Sequence, residues 1–272
     1  MIGQEGVRKK IDTLVESTKL PGFMLIVGSK GSGKKTLTSY IHSKLPNYIF
    51  QERSISVEDI RNTIQEAYRL VGVSAVYVFP DGDTMSPAAK NALLKILEEP
   101  PKNAHFIMTL EDVSNTLPTV ISRAFVLETE PYTSDQIIEY YKGLPDYNQE
   151  YEEIIRNLCQ TPGEVNVLTS GDPVQFDDYI KLVVDNIADV EPCNALKISS
   201  QVALKPEQEG YDLKLFFKAI MHESLIRLEE NPLKYSYFVS TTSKYLRQCG
   251  IKGVAKGMLF DNWVLEMGKV EC

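Results

Sequence analysis

Short apolar runs alternate with amphipathic stretches over the first half of the chain. The runs have the length and apolar content of buried strands. They lie at 23–27, 48–50, 74–79, 105–110 and 124–128. The amphipathic stretches, with favourable start and stop residues, predict helices. These helices are predicted at 1–22, 34–44, 56–70, 86–99 and 117–122. Strands that alternate with helices in this way predict βαβ units and a parallel sheet.

After residue 130 the strand signal ends and only helical patterns follow. Three short segments predict a small three-helix unit, and five longer ones predict a larger helical unit. The short segments lie at 134–141, 148–158 and 163–170. The longer ones lie at about 174–189, 193–204, 211–230, 233–248 and 254–267. We therefore predict three domains, at 1–130, 131–173 and 174–272.

Composition and charge narrow the class of protein. The 272 residues are 43% hydrophobic and 24% charged, as in ordinary globular proteins. A formal net charge of -8 argues against binding nucleic acid alone through bulk electrostatics, because such domains are usually basic. No stretch approaches the roughly 18 apolar residues that a membrane span needs. The first residues also lack a signal-peptide core, which favours the cytoplasm. Four dispersed cysteines with no C-x-x-C pair argue against a zinc site.

The segment with the most specific chemistry is the glycine-rich turn after the first strand. Its G-x-x-x-x-G-K spacing is typical of a loop whose backbone N–H groups converge on phosphate oxygens. Lys34 would reach the outer phosphates, and the next position normally holds Mg²⁺ through a Ser or Thr hydroxyl. Here that position is Lys35, and Thr36 is rotated about 100° further around the helix. The candidate loop residues are Gly28, Gly31, Gly33, Lys34, Lys35 and Thr36. The pattern predicts a phosphate cradle without its magnesium ligand, with a plain glycine-rich turn as the alternative.

Several further segments resemble one family. Residues 91–101, NALLKILEEPP, closely resemble a signature of the AAA+ clamp-loader ATPases of DNA replication. Gly3-Gln4 resembles the family's N-terminal GQ element, and 117–123, LPTVISR, its LPTxxSRC element. Residues 259–265 are similar to the closing helix of its collar. The resemblance implies an α/β plus α architecture: an AAA+ P-loop domain with a parallel sheet, a three-helix lid and a C-terminal helical collar that mediates oligomerisation.

The resemblance also exposes departures from the family's ATPase motifs. The strand before 91–101 should end in Asp-Glu, to anchor Mg²⁺ and activate water. Those positions are Pro80 and Asp81, although a register slip would leave Asp81 as the metal ligand. Asn166 replaces a lid arginine that touches the γ-phosphate. Thr109 lies where the family keeps a polar γ-phosphate sensor, but a β-branched residue also suits a strand. These changes, together with Lys35, predict that hydrolysis is lost.

One catalytic element of the family is intact at Ser122-Arg123. In the family this arginine projects into the neighbouring subunit's nucleotide site, where it stabilises charge on the transferring phosphoryl group. A solvated surface arginine is the alternative. Degraded ATPase motifs beside an intact arginine resemble the non-hydrolysing delta-prime branch of bacterial-type clamp loaders.

The resemblance implies specific partners. These are sister clamp-loader ATPase subunits, with the sliding clamp and primer–template DNA as part of the complex, and no membrane. It implies no required cofactor and no metal, and passive binding of ATP or ADP stays open. The competing hypothesis is an ATP-hydrolysing motor subunit that uses Lys34, Thr36 and Asp81 in shifted roles.

Overall fold

The computed structural model describes residues 2–17, 20–188, 212–251 and 254–268. The chain forms two compact units, Met1–Tyr132 and Thr133–Cys272. The helix predicted at 193–204 lies outside the described residues. Among the helices described, none is both long enough and apolar enough to cross a membrane.

The first unit is built on five parallel strands, as the sequence predicts. They are β1 (Phe23–Val27), β2 (Tyr48–Glu52), β3 (Ser74–Phe79), β4 (Ala104–Leu110) and β5 (Phe125–Glu128). The strand order is β2-β3-β4-β1-β5, so β1 lies between β4 and β5. All five residues of β1 are buried, because helices cover both faces of the sheet and leave no solvated side. This explains why the strand reads as an uninterrupted apolar run.

Helices cover the sheet on both faces. They are α1 (Glu5–Glu16), α2 (Lys34–Lys44), α3 (Val57–Tyr68), α4 (Pro87–Glu98) and the short α5 (Pro118–Ile121). One apolar core contains residues of α3 and α4, and the other contains residues of α1 and α2. The helix predicted over 1–22 is shorter than expected. Gly3 and Gln4 have φ values of 64° and 60°, and this left-handed backbone delays the start of α1 to Glu5.

The carboxyl ends of the parallel strands meet along one edge of the sheet. The backbone N–H of Gly28, after β1, donates to the carbonyl of Leu110 at the end of β4, at 3.0 Å. The backbone N–H of Thr129, after β5, donates to the carbonyl of Val27 at 2.8 Å. The connections that follow β1, β4 and β5 therefore start side by side. In open α/β sheets, ligands bind at this edge.

The second unit is helical over its described residues. Its helices are α6 (Ser134–Lys142), α7 (Glu152–Leu158), α8 (Pro162–Thr169), α9 (Pro173–Ala188), α10 (Leu213–Ile226), α11 (Pro232–Gln248) and α12 (Lys256–Met267). Thr133 begins α6 with a reciprocal capping box to Gln136. Phe216 and Phe217 of α10 pack edge-on against Trp263 of α12, with ring centroids 5.7 and 5.4 Å apart. The separation into a lid at 131–173 and a collar at 174–272 stays a prediction.

Candidate functional site

The glycine-rich loop joins the end of β1 to the start of α2, at the carboxyl edge of the sheet. Gly31 and Gly33 have φ values of 79° and 89°, a conformation that residues with a Cβ rarely adopt. At Gly28, an added Cβ would lie 1.9 Å from Oγ1 of Thr129. The three glycines that the sequence analysis selected are therefore needed, two for backbone conformation and one for close packing.

Lys34 bonds to the loop that precedes it. Its Nζ donates to the carbonyl oxygens of Gly28 at 2.7 Å and Ser29 at 3.0 Å. Burial lowers the pKa of Lys34, and the nearby carboxylates of Glu111, Asp83 and Asp81 oppose that shift. The ammonium group thus lies inside the loop, among carbonyl oxygens and close to three acidic residues.

Tyr132 also bonds to the loop. Its hydroxyl donates to the carbonyl of Ser32 at 3.0 Å, and a Cβ on Gly33 would lie 3.1 Å from that hydroxyl oxygen. Ser32 is only 3% exposed, and its own Oγ has no hydrogen-bond partner among the described residues. Sequence reasoning missed both residues, because no motif marks them.

The residues at the expected magnesium position do not fit the metal. Lys35 and Thr36 are both exposed, and Lys35 carries no oxygen donor in its side chain. Mg²⁺ prefers oxygen ligands in octahedral geometry. The side chains of Lys35 and Pro80 contain no oxygen atom and cannot be such ligands. Within the described ranges, no group of three or more His, Cys, Asp or Glu residues is arranged to hold a metal ion.

Asp81 and Thr109 lie together at the ends of adjacent strands β3 and β4. The backbone N–H of Asp81 donates to Oγ1 of Thr109 at 3.1 Å, and Asp81 has a left-handed φ of 50°. Thr109 is 6% exposed. The threonine selected as a possible sensor therefore fastens the connection that follows β3. Thr109 thus has a structural role in this structure: its β-branched side chain suits the strand, and its hydroxyl oxygen accepts the hydrogen bond from Asp81.

Asp83 strengthens the same edge and was not selected from the sequence. One of its carboxylate oxygens accepts from the backbone N–H of Glu111 at 2.5 Å. This bond joins the connection after β3 to the connection after β4. A charge-assisted bond of this kind is stronger than one between neutral groups. In the sequence, the Gly82-Asp83 pair indicates a turn, but it does not indicate which backbone group the carboxylate of Asp83 binds.

Arg123 follows the short helix α5 and is exposed. Its Nη1 donates to the carbonyl of Thr119 at 3.1 Å and lies 3.5 Å from Oγ of Ser122. Oγ of Ser122 also donates to the carbonyl of Thr119, at 3.2 Å. In the described part of the chain, no carboxylate forms an ion pair with Arg123 within 4.0 Å. The guanidinium group is held by neutral oxygens and keeps its charge available.

Asn166 belongs to α8 in the second unit. Its Oδ1 accepts a hydrogen bond from the hydroxyl of Tyr140 on α6, at 2.9 Å. The amide that replaces the family's lid arginine thus links two helices of its own unit.

Comparison with known proteins places these features in a family context. A sequence model for the family described as DNA polymerase III, delta subunit, matches residues 32–133. DNA polymerase III subunit delta' of Yersinia pestis is 38% identical over 74 residues, which is 26% of this chain and 22% of that protein. The same subunit of Bacillus subtilis is 24% identical over 204 residues, 62% of this chain and 60% of that protein. The chain thus spans less than two thirds of the length of these relatives.

A solved structure of a single-site variant of RuvB from Thermotoga maritima aligns with a TM-score of 0.51. It is 19% identical, and the alignment covers 77% of this chain and 86% of that one. At this identity the likeness concerns the fold alone, and that fold is the AAA+ α/β fold. Sequence similarity thus relates the chain to subunits of DNA polymerase III, through the family model over residues 32–133 and through the Bacillus subtilis delta' subunit over 204 residues.

Proposed function

We propose that the chain is a non-hydrolysing clamp-loader subunit that supplies Arg123 in trans to the nucleotide site of a neighbouring ATPase subunit. The observation that carries the proposal is the exposed guanidinium of Arg123, which forms no ion pair with any described residue, on a chain whose own loop lacks magnesium ligands. An ATPase that hydrolysed nucleotide at its own loop would need those ligands.

The setting of Arg123 supports an external phosphate as its partner. A guanidinium is always charged and can form two parallel hydrogen bonds to phosphate oxygens. Thr119 and Ser122 use only Nη1, which leaves the other N–H groups for a partner. Pro118 begins α5, and the backbone N–H of Arg123 donates to the carbonyl of Val120 at 3.2 Å, so the arginine follows a short, defined turn.

The chain's own loop supports the loss of hydrolysis. Lys35 replaces the hydroxyl ligand, Pro80 replaces the strand-end carboxylate, and Asp81 is held in a left-handed turn by its bond to Thr109. Asn166 in the second unit replaces the lid arginine, so three contacts to magnesium or phosphate are changed together, at Lys35, Pro80 and Asn166. A single change could be compensated by a neighbouring residue, but three together support the loss of hydrolysis.

The relatives support the proposed partners. Their names describe subunits of DNA polymerase III. We infer that this chain assembles with sister ATPase subunits into a hetero-oligomer, and that the assembly loads a sliding clamp on primer–template DNA. The second unit would then carry the lid and the oligomerising collar, and the chain would work in the cytoplasm.

Steady-state ATP hydrolysis tests the proposal. It is measured for the isolated chain and for its mixture with the partner ATPase, using wild type, Arg123→Ala and Arg123→Lys. We expect no turnover by the isolated chain and a large loss in the mixture with Arg123→Ala, since a single arginine finger contributes about 10³–10⁵ in rate. Arg123→Lys keeps a charge but loses the bidentate geometry and should recover little. Arg61→Ala, an exposed arginine on α3, is the matched control.

Two results would refute the proposal. The first is an unchanged rate in the mixture with Arg123→Ala. The second is robust turnover by the isolated chain that disappears with Lys34→Ala, which would favour the motor hypothesis.

A further inference from the structure

The segment that carries Arg123 contains two very short helices. A 3-10 helix at Val113–Asn115 follows β4, and α5 adds four residues at Pro118–Ile121. Helices of three and four residues have too few internal hydrogen bonds to be stable by themselves. The position of Arg123 therefore depends on the contacts that hold this segment to the sheet.

Apolar burial holds the end of the segment next to Arg123. Val120 is only 1% exposed and belongs to the core that contains residues of α3 and α4. The backbone N–H groups of Arg123 and Ala124 both donate to the carbonyl of Val120, at 3.2 and 3.0 Å. This anchor fixes where α5 ends, because moving a buried valine would leave a cavity in a close-packed core.

A carboxylate holds the other end of the segment. Oδ2 of Asp83 accepts from the backbone N–H of Glu111 at 2.5 Å, and Oδ1 lies 3.5 Å from the backbone nitrogen of Asp112. The side chains of Glu111 and Asp112 are exposed, so apolar burial does not hold the backbone at these two residues. Asp112 in turn accepts from the N–H of Ser114 at 2.8 Å and begins the 3-10 helix. Asp83 thus fixes the place where the segment leaves β4.

Asp83 is itself held by close packing. It follows Gly82, and a Cβ on Gly82 would lie 2.6 Å from two side-chain atoms of Met108 on β4. The N–H of Met85, a buried residue, closes the turn by donating to the carbonyl of Gly82 at 3.1 Å. The carboxylate therefore projects from a turn that packs directly against β4, and its bonds to backbone N–H groups are charge-assisted.

We propose that Asp83 is a positioning residue for Arg123: its carboxylate fixes the backbone at 111–112 and so sets how the guanidinium is presented to a neighbouring subunit. The inference rests on the proposed function of Arg123 and adds a residue from outside its motif. A catalytic group must be placed accurately, and a shift of about 1 Å can cost about 100-fold in rate. Loss of this anchor therefore lowers the partner's rate although the arginine is still present.

A second route of action has to be separated from this one. The carboxylates of Glu111, Asp83 and Asp81 lie close enough to Lys34 to oppose the lowering of its pKa by burial. An effect of Asp83 on the chain's own phosphate loop would use this proximity. Glu111→Gln is the matched control, because it removes a negative charge near Lys34 and leaves the backbone N–H that bonds to Asp83.

Hydrolysis by the partner ATPase tests the inference. The full chain is titrated into the partner, so that the maximum rate and the half-saturating concentration are obtained separately. Asp83→Ala should lower the maximum rate about tenfold and change the half-saturating concentration by less than about twofold. In an Arg123→Ala background, Asp83→Ala should cause no further loss, because no guanidinium is left to position. Glu111→Gln should keep the wild-type rate.

Amide hydrogen exchange tests the structural step. Asp83→Ala should speed exchange at 111–117 and leave β1 protected. Asp83→Asn keeps a neutral acceptor oxygen, so its maximum rate should fall only about threefold. Thermal unfolding verifies that each variant folds.

Three results would overturn the inference. The first is an unchanged maximum rate with Asp83→Ala when Arg123→Ala is impaired. The second is an equal further loss from Asp83→Ala in the Arg123→Ala background. The third is a loss with Glu111→Gln as large as with Asp83→Ala, which would assign the effect to the charge near Lys34. The proposed function fails differently, through an unchanged rate with Arg123→Ala itself, and that result would refute both.

Discussion

The hydroxyl of Tyr132 donates a hydrogen bond to the backbone carbonyl of Ser32, with 3.0 Å between the two oxygen atoms. Tyr132 is the last residue of the first compact unit, and Ser32 lies in the middle of the phosphate loop. The segment that leaves the first unit is thus fastened directly to the loop.

Tyr132→Phe should loosen the phosphate loop while leaving the sheet intact. The variant removes one hydrogen bond, worth about 0.5–1.5 kcal/mol, and keeps the aromatic ring. We expect faster amide hydrogen exchange at 29–33 and little change in β1 or β4. Tyr147→Phe, which removes a tyrosine hydroxyl in the second unit, is the control. Unchanged exchange at 29–33 in Tyr132→Phe would show that the bond does not restrain the loop.

Gln4 ties the start of the chain to the segment after β5. Its Nε2 donates to the carbonyl of Glu130 and its Oε1 accepts from the N–H of Glu130, both at 2.7 Å. Gln4→Ala loses both bonds and should cost about 2 kcal/mol. Gln4→Gly loses the same bonds but relieves the left-handed backbone, so it should be about 1 kcal/mol more stable than the alanine variant. Thermal unfolding followed by circular dichroism measures the difference, and equal stability of the two variants would contradict the backbone argument.

The sheet could be predicted from the sequence because strands buried on both faces consist of continuous apolar runs. The five apolar residues of β1 form such a run. Local chemistry also revealed helix starts. Ser56, for example, accepts from the N–H of Asp59 at 3.1 Å, as a capping residue should. The phosphate loop could also be predicted, because its glycines lie within a few residues of one another in the sequence.

The contacts that shape the site are not local. Tyr132 is 100 positions from Ser32, and Glu130 is 126 positions from Gln4. No periodic pattern in the sequence connects such pairs. Each contact is a hydrogen bond from a common side-chain group, a hydroxyl or an amide, to a backbone group, so no motif marks it. The bond from Asp81 to Thr109 likewise exists only because β3 and β4 are neighbours. Knowing the strand order was necessary to find it.

His105 should make stability depend on pH. Burial lowers the pKa of His105 below its ordinary value, and its Nδ1 lies 3.0 Å from the carbonyl of Pro21. The folded pKa is depressed, so the unfolded chain binds more protons between the folded pKa and about 6.5. The contribution of His105 is therefore fully present above about pH 6.5 and is lost as pH falls toward its folded pKa.

His105→Phe removes this titration. Melting temperatures of wild type and variant are compared across that window, so that groups common to both cancel. We expect the wild type to lose more stability than the variant on acidification. Parallel curves would mean that His105 does not contribute to the dependence.

Thr242 satisfies the indole of Trp263 inside the second unit. Nε1 of Trp263 donates to Oγ1 of Thr242 at 3.1 Å, and both residues have 0% exposure. Thr242→Val preserves the side chain's shape but leaves the indole N–H unpaired, which should cost about 1–3 kcal/mol. Thr242→Ser keeps the hydroxyl and loses a methyl group, about 0.8 kcal/mol of burial. Because Trp263 is the chain's single tryptophan, its fluorescence during urea unfolding reports this unit directly. A serine variant less stable than the valine variant would show that packing, and not the hydrogen bond, is the larger contribution at this position.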